Sequence, residues 1–429
     1  MSVFSILKDK ITRRSAKIGI VGLGYVGLPL AVNFGKKGYF VYGYDTDPGR
    51  VAKIARGEHY IVDVDPRDPL KLIAGKRFLP TTDAKALAQC DVIIICVPTP
   101  LRKVTLPDIS YVVSAGKTVL KNMRKGQLII LESTSYTTTT REVLLPILKK
   151  SGLKAEKDFF LCFSPERVNP GDKNFPVTRI PKAVGGCSPE STELAYMVYS
   201  TIMDKVFKVS CPEVAETSKL LENTFRLVNI ALINEFAIVC NKLGISIWEV
   251  IACASTKPFG FMPFYPGPGI GGHCIPCDPV FLSWKAKRMG FKTRMIDLAT
   301  QMNRYMPVYV AERALELAGK KRARILVLGV AYKKDVKDLR ESPALEIIEG
   351  LHRARADVSY YDPYFPYLKI NDINMTSVRL SGKLIARFDL VLLVTDHTGV
   401  NYELIRKNAR KIFDTRNMYK GNFSNVVKL

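Results

Sequence analysis

Cys274 follows the run Pro266-Gly267-Pro268-Gly269-Ile270-Gly271-Gly272-His273 and precedes Ile275-Pro276-Cys277-Asp278. So many glycines cost backbone entropy, which makes sense where the backbone itself wraps a ligand. A cysteine leaving such a loop is a candidate nucleophile. Its thiolate attacks carbonyl carbon strongly once the surroundings favour ionisation, and His273 or a nearby lysine offers that. Cys274 and Cys277 also share C-x-x-C spacing, which suits a redox disulfide or half of a zinc site. The other histidines (His59, His352, His397) are scattered and no second C-x-x-C exists, so no metal site is expected.

Three further groups carry chemistry. Lys219, Asn223 and Arg226 share one helix face by their spacing. That pattern suits a solvated face with Glu222 and Arg226 as an exposed pair. It equally suits Lys and Asn donating to an oxygen that develops negative charge in an oxidation through a tetrahedral adduct. Ser164-Pro165-Glu166-Arg167 follows the strand-like Phe159 to Phe163 and supplies a carboxylate acid or base. Gly22-Leu23-Gly24-Tyr25-Val26-Gly27 is a G-x-G-x-x-G fingerprint. Gly22 allows the tight turn, Gly24 lets the backbone approach a pyrophosphate, and Gly27 permits close helix packing. Asp45, at a strand end 18 residues after Gly27, is placed to accept from a ribose 2′-hydroxyl, which favours NAD; Arg50 nearby would instead tolerate the 2′-phosphate of NADP.

The elements that position these groups are legible as strand, glycine turn and helix. Lys17 to Val21 is a β-branched run entering the glycine turn, and strands follow at Tyr39 to Tyr44, Asp91 to Val97 and Gln127 to Leu131. Strands alternating with helical stretches predict a parallel, doubly wound sheet. Pro212 to Leu243 has no internal Gly or Pro and reads as one long helix, with a Ser210/Glu213 capping box and a stop at Gly244. A Gly/Pro loop is expected over Pro258 to Pro279, then more helix. The last third repeats the first: Arg324 to Leu328 meets Gly329, Val358 to Tyr361 ends on Asp362, and Asp389 to Thr395 echoes Asp91 to Thr99. The expected fold is therefore α/β, with two Rossmann-like doubly wound parallel-sheet domains joined by a long central helix. Residues 1–209 form the first domain with an N-terminal leader helix, 210–318 a helical connector and dimerisation region carrying the catalytic loop, and 319–429 the second α/β domain. The second domain lacks the full glycine pattern and should not bind a dinucleotide in the same way.

With these motifs in this order, together with Ala331-Tyr332-Lys333-Lys334-Asp335, the chain resembles the UDP-glucose/GDP-mannose dehydrogenase family over nearly all of residues 17 to 420. GLGYVGLP, Ser164 to Gly186, Thr256 to Phe261 and PGPGIGGHCIP look most like its members acting on UDP-N-acetylglucosamine. The resemblance implies an NAD-dependent, four-electron oxidation of a sugar C6 alcohol to a carboxylate, through an aldehyde, a thiohemiacetal and a thioester. It implies Cys274 as nucleophile, Lys219 with Asn223 as oxyanion donors, and Glu166, Thr134 and Asp278 in proton transfer and the hydrolytic water. NAD contacts are implied for Gly22, Gly24, Tyr25, Val26, Gly27, Asp45, Arg50, Thr99, Thr134 and Arg340. Contacts to the UDP-sugar are implied for Glu166, Arg167, Lys219, Asn223, Tyr265, Gly271, Lys333 and Arg416. Two departures stand out. Thr137-Thr138 replaces the Pro-Gly of close relatives beside Thr134, and Cys277 stands where several UDP-glucose enzymes have a cofactor-facing lysine, raising a Cys274–Cys277 disulfide switch.

The chain has 429 residues, with 64 Lys and Arg against 40 Asp and Glu, a net charge of +24. That excess invites a nucleic-acid partner. It is spread over short clusters such as Lys285 to Arg288 and Lys320 to Arg324, so no nucleic-acid footprint is expected; two pyrophosphate ligands would use part of it. The N-terminus has its apolar cluster before its basic residues, the reverse of an export signal, and the longest apolar runs are too short to span a bilayer. Nine cysteines without an export signal suggest reduced thiols in the cytoplasm. The expected assembly is a homodimer or larger oligomer through the central helix.

Overall fold

The computed structural model describes residues 1–58, 61, 64–102, 106–168, 177–272 and 274–429, so His59 and His273 lie outside the described residues. It forms two compact units, Met1–Glu222 with Val280–Met289, and Asn223–Pro279 with Gly290–Leu429.

The first unit opens with α1 (Val3–Thr12), capped by the Ser2 hydroxyl, which accepts from the Ser5 N–H. Leu7 and Ile11 on this helix are buried in the core of the sheet domain, each burial worth on the order of 2 kcal/mol. The leader thus packs on the sheet domain. The strands are β1 (Lys17–Val21), β2 (Phe40–Tyr44), β3 (Phe78–Thr81), β4 (Val92–Ile95), β5 (Gln127–Leu131), β6 (Phe159–Phe163), β7 (Lys182–Gly186) and β8 (Val206–Lys208). Helix α2 (Gly27–Lys36) follows the glycine turn, and α3 (Pro189–Tyr199) follows β7. The sheet order is β8-β7-β6-β5-β4-β1-β2-β3. Strands β4, β5 and β6 are buried at every position, as a sheet covered on both faces requires. The order from β3 to β6 is the doubly wound dinucleotide-binding order, reversing direction between β1 and β4. All pairs are parallel except β6 with β7.

Helix α4 runs over Pro212–Leu243 and stops at Gly244, whose φ of 71° favours glycine. Its start at Pro212 puts Cys211, not Ser210, at the cap position, and Glu213 pairs with Arg141 at 2.7 Å. The expected capping box is therefore not formed. By length and composition α4 is the one described helix apolar enough to cross a bilayer. Its polar residues Lys219, Asn223 and Asn234 are buried in the protein.

The expected Gly/Pro loop ends earlier than its composition suggests, because Cys274 is the first residue of helix α5 (Cys274–Arg288). Pro276 sits in the first turn, where its missing N–H is one the helix would leave unbonded anyway. Pro279, further in, removes one helical hydrogen bond. After α6 (Arg294–Ala318) the second sheet begins: β9 (Arg324–Leu328), α7 (Pro343–Arg353), β10 (Asp357–Tyr361), β11 (Leu390–Leu393), β12 (Ile412–Asp414) and β13 (Val426–Lys428). Its order is β10-β9-β11-β12-β13, parallel throughout.

The two sheets repeat one backbone device. In the first, the Gly22 N–H donates to the Tyr44 carbonyl at 2.8 Å and the Leu23 N–H to Asp45 Oδ2 at 2.7 Å. In the second, the Gly329 N–H donates to the Tyr361 carbonyl at 2.8 Å and the Val330 N–H to Asp362 Oδ2 at 2.7 Å. There His397, buried, faces the same Asp362 oxygen through Nε2 at 3.1 Å. The carboxylate that would read a ribose is engaged from within the fold.

Candidate active site

The cofactor cradle lies at the reversal of the first sheet. Gly22 has φ 94°, and a Cβ there would stand 2.7 Å from the Cys96 carbonyl oxygen. A Cβ on Gly27 would meet the Gly22 carbonyl oxygen at 1.8 Å, so the turn and the start of α2 accept only glycine. Above Gly24 nothing lies within 4 Å, which leaves that backbone open to a pyrophosphate. Val26 precedes α2 without a side-chain cap bond, so the opening N–H groups of the helix face the same space. Tyr25 is half-exposed beside them and Thr99 is buried. Asp45 is buried at the end of β2, its Oδ2 accepting from Arg50 Nη1 at 2.8 Å. An Arg50 held by Asp45 is a carboxylate's partner, which suits the ribose 2′-hydroxyl of NAD. These residues fit the cofactor, which when bound accepts hydride.

Also in the first unit, Lys219 on α4 donates its Nζ hydrogen bond to Thr134 Oγ1, joining two of the expected site residues. Glu166 sits deeper. Its Oε1 accepts from the N–H groups of Arg167 at 2.7 Å and Val168 at 2.8 Å, and its Oε2 from Lys182 at 2.8 Å. Lys182 also pairs with Glu132, and the Tyr199 hydroxyl donates to Glu132 at 2.6 Å. Burial works against ionisation of Glu166, but the Lys182 ammonium, a hydrogen bond from Glu132 and the Lys219 charge outweigh it and bring it down to about 2. Glu132 goes the other way, to about 7, because burial and the neighbouring Glu166 exceed the help from Lys182. Arg167 reaches Glu222 at 2.9 Å, so Glu222 pairs with Arg167 and not with Arg226 as the helix spacing suggested.

In the second unit Cys274 is exposed at the head of α5. Asp278 follows one turn later, buried, and accepts from Asn223 Nδ2 at 2.7 Å. Asn223 in turn lies one turn beyond Lys219 on α4. Cys277 is buried, and burial with the neighbouring Asp278 pushes its thiol up to about 12. Of the two thiols, Cys274 is the exposed one. All nine cysteines are free.

The glycine loop packs beside Arg416 and Tyr332 of the second α/β domain. The Gly267 N–H donates to buried Asn234 at 3.0 Å, and Asn234 donates to Asn303 at 3.0 Å. A Cβ on Gly267 would come within 2.9 Å of Arg416 Nη1. Gly271 and Gly272 pack on Tyr332, the neighbour of half-buried Lys333, and the Gly272 N–H donates to the Arg340 carbonyl at 2.9 Å. Asp335, two residues further on, is anchored: its N–H donates to His397 Nδ1 at 3.0 Å and its carboxylate accepts from the Thr398 N–H at 2.8 Å. Tyr265 is exposed and stacks on Trp248. Arg340, expected at the cofactor, lies in this unit and pairs with Asp338 at 2.7 Å. Glu132, Lys182, Asn234 and Asn303 escaped the sequence reading. The one signal was charge or amide set among apolar strand or helix residues.

A glycine cradle on a doubly wound sheet and an exposed thiol opening a helix beside an Asn–Asp pair define a nucleotide-dependent oxidoreductase. The chain matches the UDP-glucose/GDP-mannose dehydrogenase family in its NAD binding domain over residues 16–203, its central domain over 213–305 and its UDP binding domain over 326–421. It is 40% identical over 358 residues to the UDP-N-acetyl-D-glucosamine 6-dehydrogenase of Pseudomonas aeruginosa, covering 82% of this chain and 83% of that one. It is 37% identical over 415 residues to the UDP-N-acetyl-D-mannosamine dehydrogenase of Pyrococcus horikoshii, covering 94% and 96%. The solved structure of a UDP-D-ManNAc dehydrogenase from Pyrococcus horikoshii matches with a TM-score of 0.85 at 34% identity, over 96% of this chain and 98% of that one. The chain belongs to the UDP-glucose/GDP-mannose dehydrogenase family, and it is an NAD-dependent nucleotide-sugar dehydrogenase.

Proposed function

We propose that this chain oxidises the C6 alcohol of UDP-N-acetylglucosamine, or of a related UDP-N-acetylhexosamine, to the uronic acid. The observation that carries the covalent route is Cys274, an exposed thiol opening α5, with Asp278 one turn behind it and held by Asn223. The thiolate adds to the C6 aldehyde to give a thiohemiacetal, and loss of a second hydride from C6 leaves a thioester. Lys219 and Asn223 supply the N–H donors for the oxygen that carries charge in these steps. Thr134 fixes the Lys219 ammonium, and Glu166 and Asp278 serve the proton transfers and the water that releases the acid. Lys333, Arg416, Tyr265 and the loop at Gly271 hold the UDP-sugar, with Arg167 beside Glu166. Four substrates suit this chemistry: UDP-N-acetylglucosamine, supported by the relative of 40% identity, UDP-N-acetylmannosamine, supported by the relative matching 94% of the chain, UDP-N-acetylgalactosamine and UDP-glucose.

The deciding experiment incubates the protein with NAD and a panel of these UDP-sugars, follows NADH absorbance and weighs the product. Two NADH per sugar and a carboxylate product support the thiol route; one NADH per sugar supports a two-electron dehydrogenase that uses Lys219 and Asn223 alone. The acidic sugar would serve a cytoplasmic route to a surface polysaccharide or glycan.

The assembly is a homodimer or larger oligomer. Leu221, Phe225, Leu232, Phe236, Val239 and Leu243 are all at least 46% exposed along one side of α4, an apolar stripe that a second copy would cover. Replacing Phe225 and Phe236 with Asp should yield monomer by light scattering.

A further inference from the structure

Lys182 needs one carboxylate to be neutralised, and Glu166 at 2.8 Å provides it. Yet a second carboxyl, Glu132, is buried against the same ammonium. A structural ion pair gains little from this, because a further buried anion adds desolvation cost while the ammonium in contact with it is already shared. Both carboxyls thus converge on the one Lys182 ammonium, and because two adjacent carboxylates repel, the pair is suited to gaining and losing a single proton.

We propose that Glu132 and Glu166 form one proton-sharing carboxyl pair, so that the pair, rather than Glu166 alone, takes up the proton in the reaction. This rests on the thioester reading above. When water attacks the thioester, the C–O bond forms and the C–S bond breaks, sulfur leaving with the electron pair as the Cys274 thiolate. The proton lost by the water passes to Glu166 and settles, through the shared hydrogen bond, on Glu132. It returns to solvent through Glu166 before the next turnover. Glu166 is the member with a route outward: its side chain is 10% exposed and that of Glu132 is 0% exposed.

The groups facing the pair fit this use. Lys182 on β7 keeps the unprotonated pair from carrying two uncompensated charges. Tyr199 on α3 donates to Glu132 and stays neutral, its hydroxyl raised well above the usual range by burial and by Glu132. Cys96, after β4, is held neutral by burial. Lys219 on α4 acts on Glu166 by charge. Alone, Glu166, held well below the usual carboxylate range by the Lys182 ammonium, is a poor base near neutrality, whereas burial raises Glu132 toward it and lets the pair titrate as a unit. Glu132, Lys182 and Tyr199 are positioning residues in this scheme, none needing to touch the sugar.

The test compares wild type with Glu132→Gln, which keeps a hydrogen-bond donor but cannot titrate. In wild type the pair is free to accept a proton only above its midpoint, so the kcat ratio of wild type to variant should climb about tenfold between pH 6 and pH 8 and then level, as one proton titrating near 7 dictates. A ratio constant with pH would mean a merely structural role and would overturn the proposal. Tyr199→Phe removes a donor to the Glu132 carboxylate and should move the wild-type midpoint to higher pH; an unmoved midpoint counts against the pair. Infrared spectroscopy reads the proton without turnover. In a Glu216→Gln background, needed because Glu216 titrates in the same range, a carboxyl stretch should vanish between pH 6 and pH 8 and be missing when Glu132→Gln is added. Its persistence in that double variant overturns the assignment. One NADH per sugar would instead remove the thioester reading, and the infrared result would still decide whether the pair shares a proton.

Discussion

The Thr138 N–H donates to the Glu216 carboxylate at 2.5 Å while Thr138 itself stands at φ 84°, left-handed backbone that a β-branched residue seldom adopts. The backbone penalty is about 1–2 kcal/mol. Thr138→Gly removes that cost and gives back part as unfolded-state entropy. The expected net gain is about 1 kcal/mol, a rise of roughly 2–4 °C in Tm for a unit of this size, read by calorimetry. A lower Tm would show that the threonine side chain contributes more than its backbone strain costs.

Glu216 also sets a pH dependence. Burial pushes its carboxyl up from 4.5 to about 7, against the hydrogen bonds from Thr140 and Thr138 that favour the anion. The folded chain therefore holds this proton more tightly than the unfolded chain does. The resulting stability is full below about 4.5 and is lost as pH rises through about 7. Glu132 acts in the same sense and window, whereas Glu166, depressed to about 2, loses its contribution only as pH falls through that value. Tm should thus decline from pH 5 to pH 8. Glu216→Gln should flatten the decline by up to about 1.4 kcal/mol per pH unit, seen in parallel urea titrations of both proteins; identical slopes would remove Glu216 from the account.

The fold was legible where backbone rules act locally. Lys17 to Val21, Gln127 to Leu131, Phe159 to Phe163 and Arg324 to Leu328 are apolar runs closed by polar or glycine residues, and each is a strand with those bounds. Helix α4 had no internal breaker and kept its bounds too. Composition misled at Cys274, since prolines that look like loop are compatible with a first helical turn. Strands β12 and β13, three residues each, are too short for periodicity to mark. Among site residues, those in glycine motifs were readable because the motif itself is local. Lys182 and Glu132 were not, because a charge near an apolar strand shows its partner only when separated strands are brought side by side.

Gly267→Ala tests the UDP-sugar end. The new Cβ would stand 2.9 Å from Arg416 Nη1, and Arg416 cannot simply swing away while its Nε donates to the Val394 carbonyl at 2.7 Å. The guanidinium should shift by a few tenths of an ångström or more. KM for the UDP-sugar should then rise about tenfold, equivalent to about 1.4 kcal/mol, with kcat nearly unchanged because the thiol is untouched. Initial-rate kinetics decide it, and an unchanged KM would take Arg416 out of the binding set.

The last prediction concerns the two thiols of α5. Cys274→Ala should abolish uronic acid formation while NAD still binds to the glycine cradle, measured by fluorescence titration; retained acid production would sink the covalent route. For Cys277 the geometry gives the opposite expectation. Its thiol is buried and pushed up to about 12, so almost none of it is thiolate near neutrality and it attacks an oxidised partner slowly. Hydrogen peroxide should inactivate wild type and Cys277→Ser at similar rates, the loss tracking oxidation of Cys274. If Cys277→Ser proved much slower to recover activity on adding dithiothreitol, Cys277 would be acting as a resolving thiol after all, and a Cys274–Cys277 disulfide would be protecting Cys274 from irreversible oxidation.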